Sequence, residues 1–138
     1  MESMATPGWS LSILLVEDEK ATLNLLTNIL RKKYPACALH TAINGGSGLE
    51  LFQRHMTDIV ITDLNMPGMN GVQMTENIRA VNPKTKFIIL TGDAGEFSLE
   101  ASIEEGFDVD HFITKPISFN KLFAAIEHCF GESLTSNL

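Results

Sequence analysis

The sequence predicts an α/β fold, a single doubly wound domain built on a parallel five-stranded sheet, and three observations lead there. Five short apolar runs, within residues 11–16, 37–43, 59–62, 87–90 and 109–114, alternate with stretches whose apolar residues recur at helical spacing. The first, third and fourth runs are nearly continuous, the pattern of strands covered on both faces. The connections are short, so consecutive strands run parallel through right-handed crossovers and the helices must divide between the two faces.

Each element has its own signal. The first run stops on Glu17-Asp18-Glu19. From Lys20 to about Lys33, the residues Leu23, Leu26, Ile29 and Leu30 make an apolar stripe, and Pro35 closes the helix. Asn44-Gly45-Gly46 breaks the second strand before a helix with Leu49, Phe52 and Met56 on its inner face. The third run ends at Asp63, and Pro67-Gly68 marks a turn. A helix from about Gly71 carries Met74, Ile78 and Val81 inward and stops at Asn82-Pro83. The fourth strand finishes on Thr91-Gly92-Asp93, after which Phe97 and Ala101 mark a shorter helix that stops at Gly106. The weak fifth strand leads into Lys115-Pro116. Ser118 is the expected N-cap of the last helix, whose inner face carries Phe119, Leu122, Ile126 and Phe130 and which Gly131 ends.

Composition narrows the function classes. A length of 138 residues fits one domain, taken as residues 11–131 between an N-terminal extension, 1–10, and a C-terminal tail, 132–138. The apolar runs are too short to span a bilayer, and residues 1–10 lack the basic and apolar regions of a secretory signal, so a cytoplasmic location is expected. A net charge of −7 argues against direct nucleic-acid binding and suits a cation or a basic partner. Cys37 and Cys129 are read as buried free thiols. His40, His55, His111 and His128 show no metal-ligand spacing and are read as ordinary residues. Gly45-Gly46-Ser47-Gly48 lacks the Lys-Ser/Thr ending of a phosphate loop, so a turn and helix start account for it.

The strand ends carry the chemistry. Glu17 and Asp18 follow the first strand, Asp63 ends the third, Thr91 the fourth, and Lys115 follows the fifth. In an open parallel sheet the crevice beyond these ends is the ligand site. Three carboxylates brought there repel one another unless a proton or a cation relieves them, and oxygen-only ligands suit Mg²⁺. With Lys115 and the Thr91 hydroxyl, these are the parts needed to move a phosphoryl group onto a carboxylate, with Asp63 as nucleophile. A carboxylate is already ionised, so no general base is required.

Glu17-Asp18, Asp63 within Asp-Leu-Asn-Met-Pro-Gly-Met-Asn-Gly, Thr91 and Lys115-Pro116 resemble the receiver domain of two-component response regulators, from about Leu11 to Phe130. The resemblance implies a flavodoxin-like (βα)5 fold with sheet order 2-1-3-4-5, and a signalling module instead of an enzyme. It implies that Asp63 is the phosphoacceptor, loaded from a sensor histidine kinase or a histidine phosphotransfer protein. Mg²⁺ (or Mn²⁺) would be held by Asp18, by Glu17 through water, by Asp63 and by the backbone carbonyl of Asn65. Thr91 and Phe112 match the switch pair, Lys115 pairs with the phosphorylated Asp63, and Lys115-Pro116 is where the family has a cis peptide. Asn65 and Asp93 occupy the positions that tune dephosphorylation, and short polar side chains there imply moderately fast loss of the phosphoryl group. The expected partner surface is the fourth helix, fifth strand and fifth helix, roughly residues 96–130, facing an unidentified output protein or domain.

Rival readings remain open from the residues. A Mg²⁺-dependent phosphatase with an Asp nucleophile would carry an acid two residues later, after the first strand, but that position here is Asn65, after the third. A flavin or nucleotide binder would not place acids on the first loop. A pseudo-receiver that binds without phosphorylation would usually lack one of the residues present here.

Overall fold

In the computed structural model, β1 (Ser12–Val16) lies between β2 (Ala38–Ala42) and β3 (Ile59–Asp63), and β4 (Lys86–Thr91) and β5 (His111–Thr114) complete a sheet of order β2-β1-β3-β4-β5. All four pairings are parallel. The structure describes residues 11–64, 66–92 and 109–136. The expected helix around Phe97 to Gly106 lies outside the described residues, so four helices are described: α1 (Lys20–Lys33), α2 (Gly45–His55), α3 (Gly71–Val81) and α4 (Phe119–Ser136).

Both faces of the sheet are apolar because successive strand side chains point to opposite sides and each side has helices to cover it. On one face Ile13, Leu15, Ile59, Ile61, Ile88, Leu90 and Ile113 pack against Leu23, Leu26 and Leu30 of α1 and Leu122, Ala125, Ile126 and Cys129 of α4. On the other, Leu14, Val16, Val60 and Phe87 meet Phe52 of α2 and Met74 and Ile78 of α3. Among the described residues no helix is long and apolar enough to cross a membrane.

Local chemistry sets the helix starts. Asn44 caps α2 by accepting a hydrogen bond from the Ser47 amide at 2.8 Å, and Asn70 and Gln73 form a reciprocal capping box on α3. Gly48 is needed for packing: a Cβ there would lie 2.8 Å from Met74 Sδ and 2.9 Å from Val16 Cγ2. The glycine cluster is thus the turn and helix start that the sequence suggested, with a close approach at Gly48 that it did not.

Several inner-face assignments need correction. Met56 is exposed and serves as the C-cap of α2 with φ of 50°, outside the helical stripe. Val81 and Phe119 stand at helix ends and are exposed as well, since a terminal turn overhangs the sheet. The buried stripe of α4 is Leu122, Ala125, Ile126 and Cys129, and Phe130 is only partly buried. Cys37 is half-buried, whereas Cys129 is buried, and both are free thiols. Gly131 does not stop α4, which continues to Ser136. A glycine inside a helix costs only about 1 kcal/mol against alanine, and Glu132, one residue on, reaches Lys86 Nζ at 3.6 Å. The second and fifth strands are shorter than their apolar runs.

Candidate functional site

Parallel register brings the strand ends to one edge. Val16 is level with Thr62, Asp63 with Leu90, and Thr91 with Thr114, so the next residues along β1, β3, β4 and β5 open on a common crevice. Asp63 and Glu17 are both buried there, and Asp18 is exposed beside them. One carboxylate oxygen from each of Glu17, Asp18 and Asp63 lies within 4.8 Å of the others.

Lys115 follows β5 and reaches back over this edge. Its backbone amide donates to the Thr91 carbonyl at 2.8 Å, which fixes the start of the side chain. Its Nζ donates to Asp63 Oδ2 at 2.8 Å and to Glu17 Oε1 at 3.2 Å. The other Glu17 oxygen accepts the Glu19 amide at 3.1 Å. The Lys115-Pro116 peptide is cis, as the resemblance implied.

Backbone packs closely against backbone beside Asp63. The Gly71 amide donates to the Leu64 carbonyl at 2.9 Å and draws the start of α3 against the end of β3. A Cβ at Gly71 would fall 2.4 Å from the Asp63 carbonyl oxygen, so only glycine permits this approach. Gly68, with φ of 76°, turns the chain ahead of α3.

Electrostatics follows from burial. Desolvation pushes the Glu17 carboxyl above its ordinary value and the Asp63 charge adds to this, although the Glu19 amide and Lys115 act the other way. For Lys115, burial opposes the charge, yet the Asp63 and Glu17 carboxylates outweigh it and the ammonium is held above its ordinary value. Among the described residues, three carboxylates against one cation leave a net negative pocket of oxygen donors. That donor set fits a hard divalent cation, which takes carboxylate oxygens and retains water.

The structure thus brings together Glu17, Asp18, Asp63 and Lys115, with Thr91 at the same edge. Phe112 projects away from the core side of β5 and is 37% exposed, while its neighbour Ile113 is buried. Asn65 and Asp93 lie outside the described residues. Two contacts had no counterpart in the sequence reading. His111 and His128 approach to 3.0 Å, and the His40 and His55 rings stack at 4.0 Å between centroids. Their separations along the chain carry no such signal, although His128 and Glu132 are spaced one helical turn apart.

Comparison with known proteins agrees with this geometry. Residues 13–127 match the model of the response regulator receiver domain. The chain is 35% identical over 121 residues to the transcriptional regulatory protein GlrR of Escherichia coli (strain K12), covering 88% of this chain and 26% of that protein. It is 31% identical over 121 residues to the uncharacterized transcriptional regulatory protein YesN of Bacillus subtilis (strain 168), covering 87% of this chain and 32% of that one. The chain therefore spans about a quarter to a third of these relatives. Among solved structures, a response regulator receiver domain protein (CheY-like) from Methanospirillum hungatei JF-1 superposes with a TM-score of 0.80 at 26% identity, covering 92% of this chain and 98% of that one. The signal receiver domain of an HD domain-containing protein from Pseudomonas fluorescens Pf-5 gives 0.82 at 25%, covering 91% and 98%. With the doubly wound sheet and the acidic strand-end crevice in place, the chain belongs to the response regulator receiver domain family.

Proposed function

We propose that this chain is a phosphorylation-dependent signalling switch that accepts a phosphoryl group on Asp63 from a phosphohistidine of a sensor histidine kinase or histidine phosphotransfer protein. The observation that carries this reading is the convergence of three carboxylates on one cationic side chain, with Lys115 Nζ 2.8 Å from Asp63 Oδ2. An Asp63 oxygen attacks phosphorus as the bond from phosphorus to the donor imidazole nitrogen breaks, and the electron pair leaves with the imidazole. Glu17, Asp18, Asp63 and the Asn65 carbonyl are the groups to hold Mg²⁺ or Mn²⁺, which when bound supplies positive charge to the transferring phosphoryl oxygens.

Lys115 orients the Asp63 carboxylate before transfer and pairs with the phosphoryl group afterwards. Thr91 then moves its hydroxyl toward the phosphoryl oxygens, and the exposed Phe112 ring turns inward. That exchange redistributes two arrangements of the domain and alters the surface of residues 96–130 seen by an output partner. Asn65 and Asp93 orient the water that later removes the phosphoryl group, so its lifetime is short of many hours. This reading places the chain in the cytoplasm, with a kinase.

Intact mass after incubation with acetyl phosphate and Mg²⁺, beside Asp63→Asn and a chelator control, tests the reading. One added phosphoryl group that needs both Mg²⁺ and Asp63 is expected. No adduct, together with a spectrum that beryllofluoride leaves unchanged, overturns it.

A further inference from the structure

At the far end of β5 from Lys115, two imidazoles meet across elements. His111 begins the strand and His128 lies on α4, and His111 Nε2 is 3.0 Å from His128 Nδ1 with the rings nearly perpendicular. Glu132, one turn beyond His128, sets Oε1 3.9 Å from that same Nδ1. Among the described residues, the charged groups near this cluster include Lys86, whose Nζ is 3.6 Å from Glu132 Oε1, Asp110, whose Oδ2 is occupied by the Phe87 amide at 2.8 Å, and Lys121, which lines a surface pocket together with His111. The His128 and Glu132 side chains are 60% and 42% exposed, so an ion has direct access from solvent.

We propose that His111, His128 and Glu132 form a second metal site, selective for a first-row transition cation such as Zn²⁺ and separate from the carboxylate crevice. Two imidazole nitrogens on one tetrahedral zinc ion stand about 3.3 Å apart, given bonds of about 2.0–2.1 Å. For the two imidazoles the observed separation needs a change of only a few tenths of an ångström, with both rings turned so that their lone pairs converge, whereas the Glu132 carboxylate, 3.9 Å from His128 Nδ1 and farther from His111, has to swing in to complete the set. In the metal-free pair one nitrogen donates to the other, and the ion takes the place of the shared proton. Imidazole with one carboxylate is a donor set for zinc, nickel or copper, whereas Mg²⁺ prefers oxygen alone. Three protein ligands leave one position to water or to a partner's side chain. Lys86 restrains the Glu132 carboxylate and must yield part of it when the ion binds.

The test is calorimetric titration of the full chain, free of any affinity tag, with Zn²⁺ in Mg²⁺-containing buffer. Saturable binding of one ion is expected. His111→Gln and His128→Gln should each weaken it by at least about 10-fold, the loss that even an outer-sphere partner brings. Glu132→Gln should weaken it less, and the His40→Gln/His55→Gln double variant should leave it unchanged. Zinc should also raise the melting temperature of the parent but not of His111→Gln/His128→Gln. Should a histidine variant fail to fold, imidazole nitrogen shifts of the parent decide, moving at His111 Nε2 and His128 Nδ1 on zinc addition. No saturable heat, binding that survives the double variant, or shifts confined to His40 and His55 would overturn the site.

Discussion

Lys115 Nζ stands 2.8 Å from Asp63 Oδ2, a contact between residues 52 positions apart. The same nitrogen is 3.2 Å from Glu17 Oε1. One ammonium therefore offsets two buried carboxylates at the ends of two different strands. Its reach depends on the short span from β5 and on the Thr91 carbonyl that anchors its amide. The site is built around this charge balance, and its perturbation gives the first test.

Removing that charge as Lys115→Met should tighten Mg²⁺ binding, because the ion then meets three carboxylates that no longer share their charge with the Lys115 ammonium. The repulsion of one unit charge at about 4 Å is on the order of 1 kcal/mol in bulk water and larger where the dielectric is lower, so a gain of at least about 5-fold in affinity is expected. Calorimetric titration with Mg²⁺ reads it directly. Unchanged or weaker binding would contradict the charge balance described here.

Glu17 gives a dependence on pH. Its folded carboxyl titrates above its ordinary value, chiefly through burial, so the folded state holds a proton that the unfolded chain has released. Stability then falls as pH rises from the ordinary carboxylate value to the raised one, and the loss persists at neutral pH. Glu17→Gln should therefore raise the melting temperature in chelator at pH 7, with a smaller gain near pH 4. Thermal melts at the two pH values decide; equal shifts at both would rule out this cause.

The glycines rank by what surrounds them. Gly46 meets only Asn44 Oδ1 at 3.5 Å, so Gly46→Ala should stabilise by about 0.5–1 kcal/mol through helix propensity alone. Gly48→Ala drives a methyl against Met74 and Val16, and overpacking of about 1–3 kcal/mol should cancel or exceed that gain. Gly71→Ala presses on the Asp63 carbonyl itself and should lose both stability and phosphorylation of Asp63. Denaturant midpoints place the three in that order, or refute it.

Tyr34 is the chain's single tyrosine, so ultraviolet absorbance titrates it alone. Its hydroxyl donates to Glu127 Oε2 at 2.9 Å, and its ring packs edge-on against Phe123 and Phe130. Burial first, then the Glu127 hydrogen bond and charge, push the phenol well above its ordinary value. The folded chain thus keeps a proton that the unfolded chain loses near pH 10, and stability falls as pH rises beyond that point. Glu127→Gln should move the titration back toward the ordinary value. A midpoint indifferent to that change would show that burial acts alone.

The legibility of the fold followed the range of each signal. The apolar runs of β1, β3 and β4 were plain because burial on both faces leaves no room for polar residues. The inward stripes of α1 and α3 were read correctly at Leu23, Leu26, Leu30, Met74 and Ile78. Met56, Val81 and Phe119 were misplaced because helical periodicity does not register where a helix overhangs its sheet. Gly131 was read as a stop because the Lys86–Glu132 pair beyond it is a tertiary contact.

By itself, the sequence determined the alternation of strands and helices, and hence that Glu17, Asp18, Asp63, Thr91 and Lys115 stand at strand ends. These features depend on neighbours within a few positions and survive any detail of packing. Tertiary structure alone decided which charges touch. Lys115 and Glu17, 98 residues apart, meet because parallel register sets both strand ends at one edge and burial forces their charges to pair. It also decided that His111 faces His128, since that contact joins the first residue of a strand to the middle of a helix packed across it. No local pattern encodes such a distance, because it is fixed by the packing of whole elements against one core.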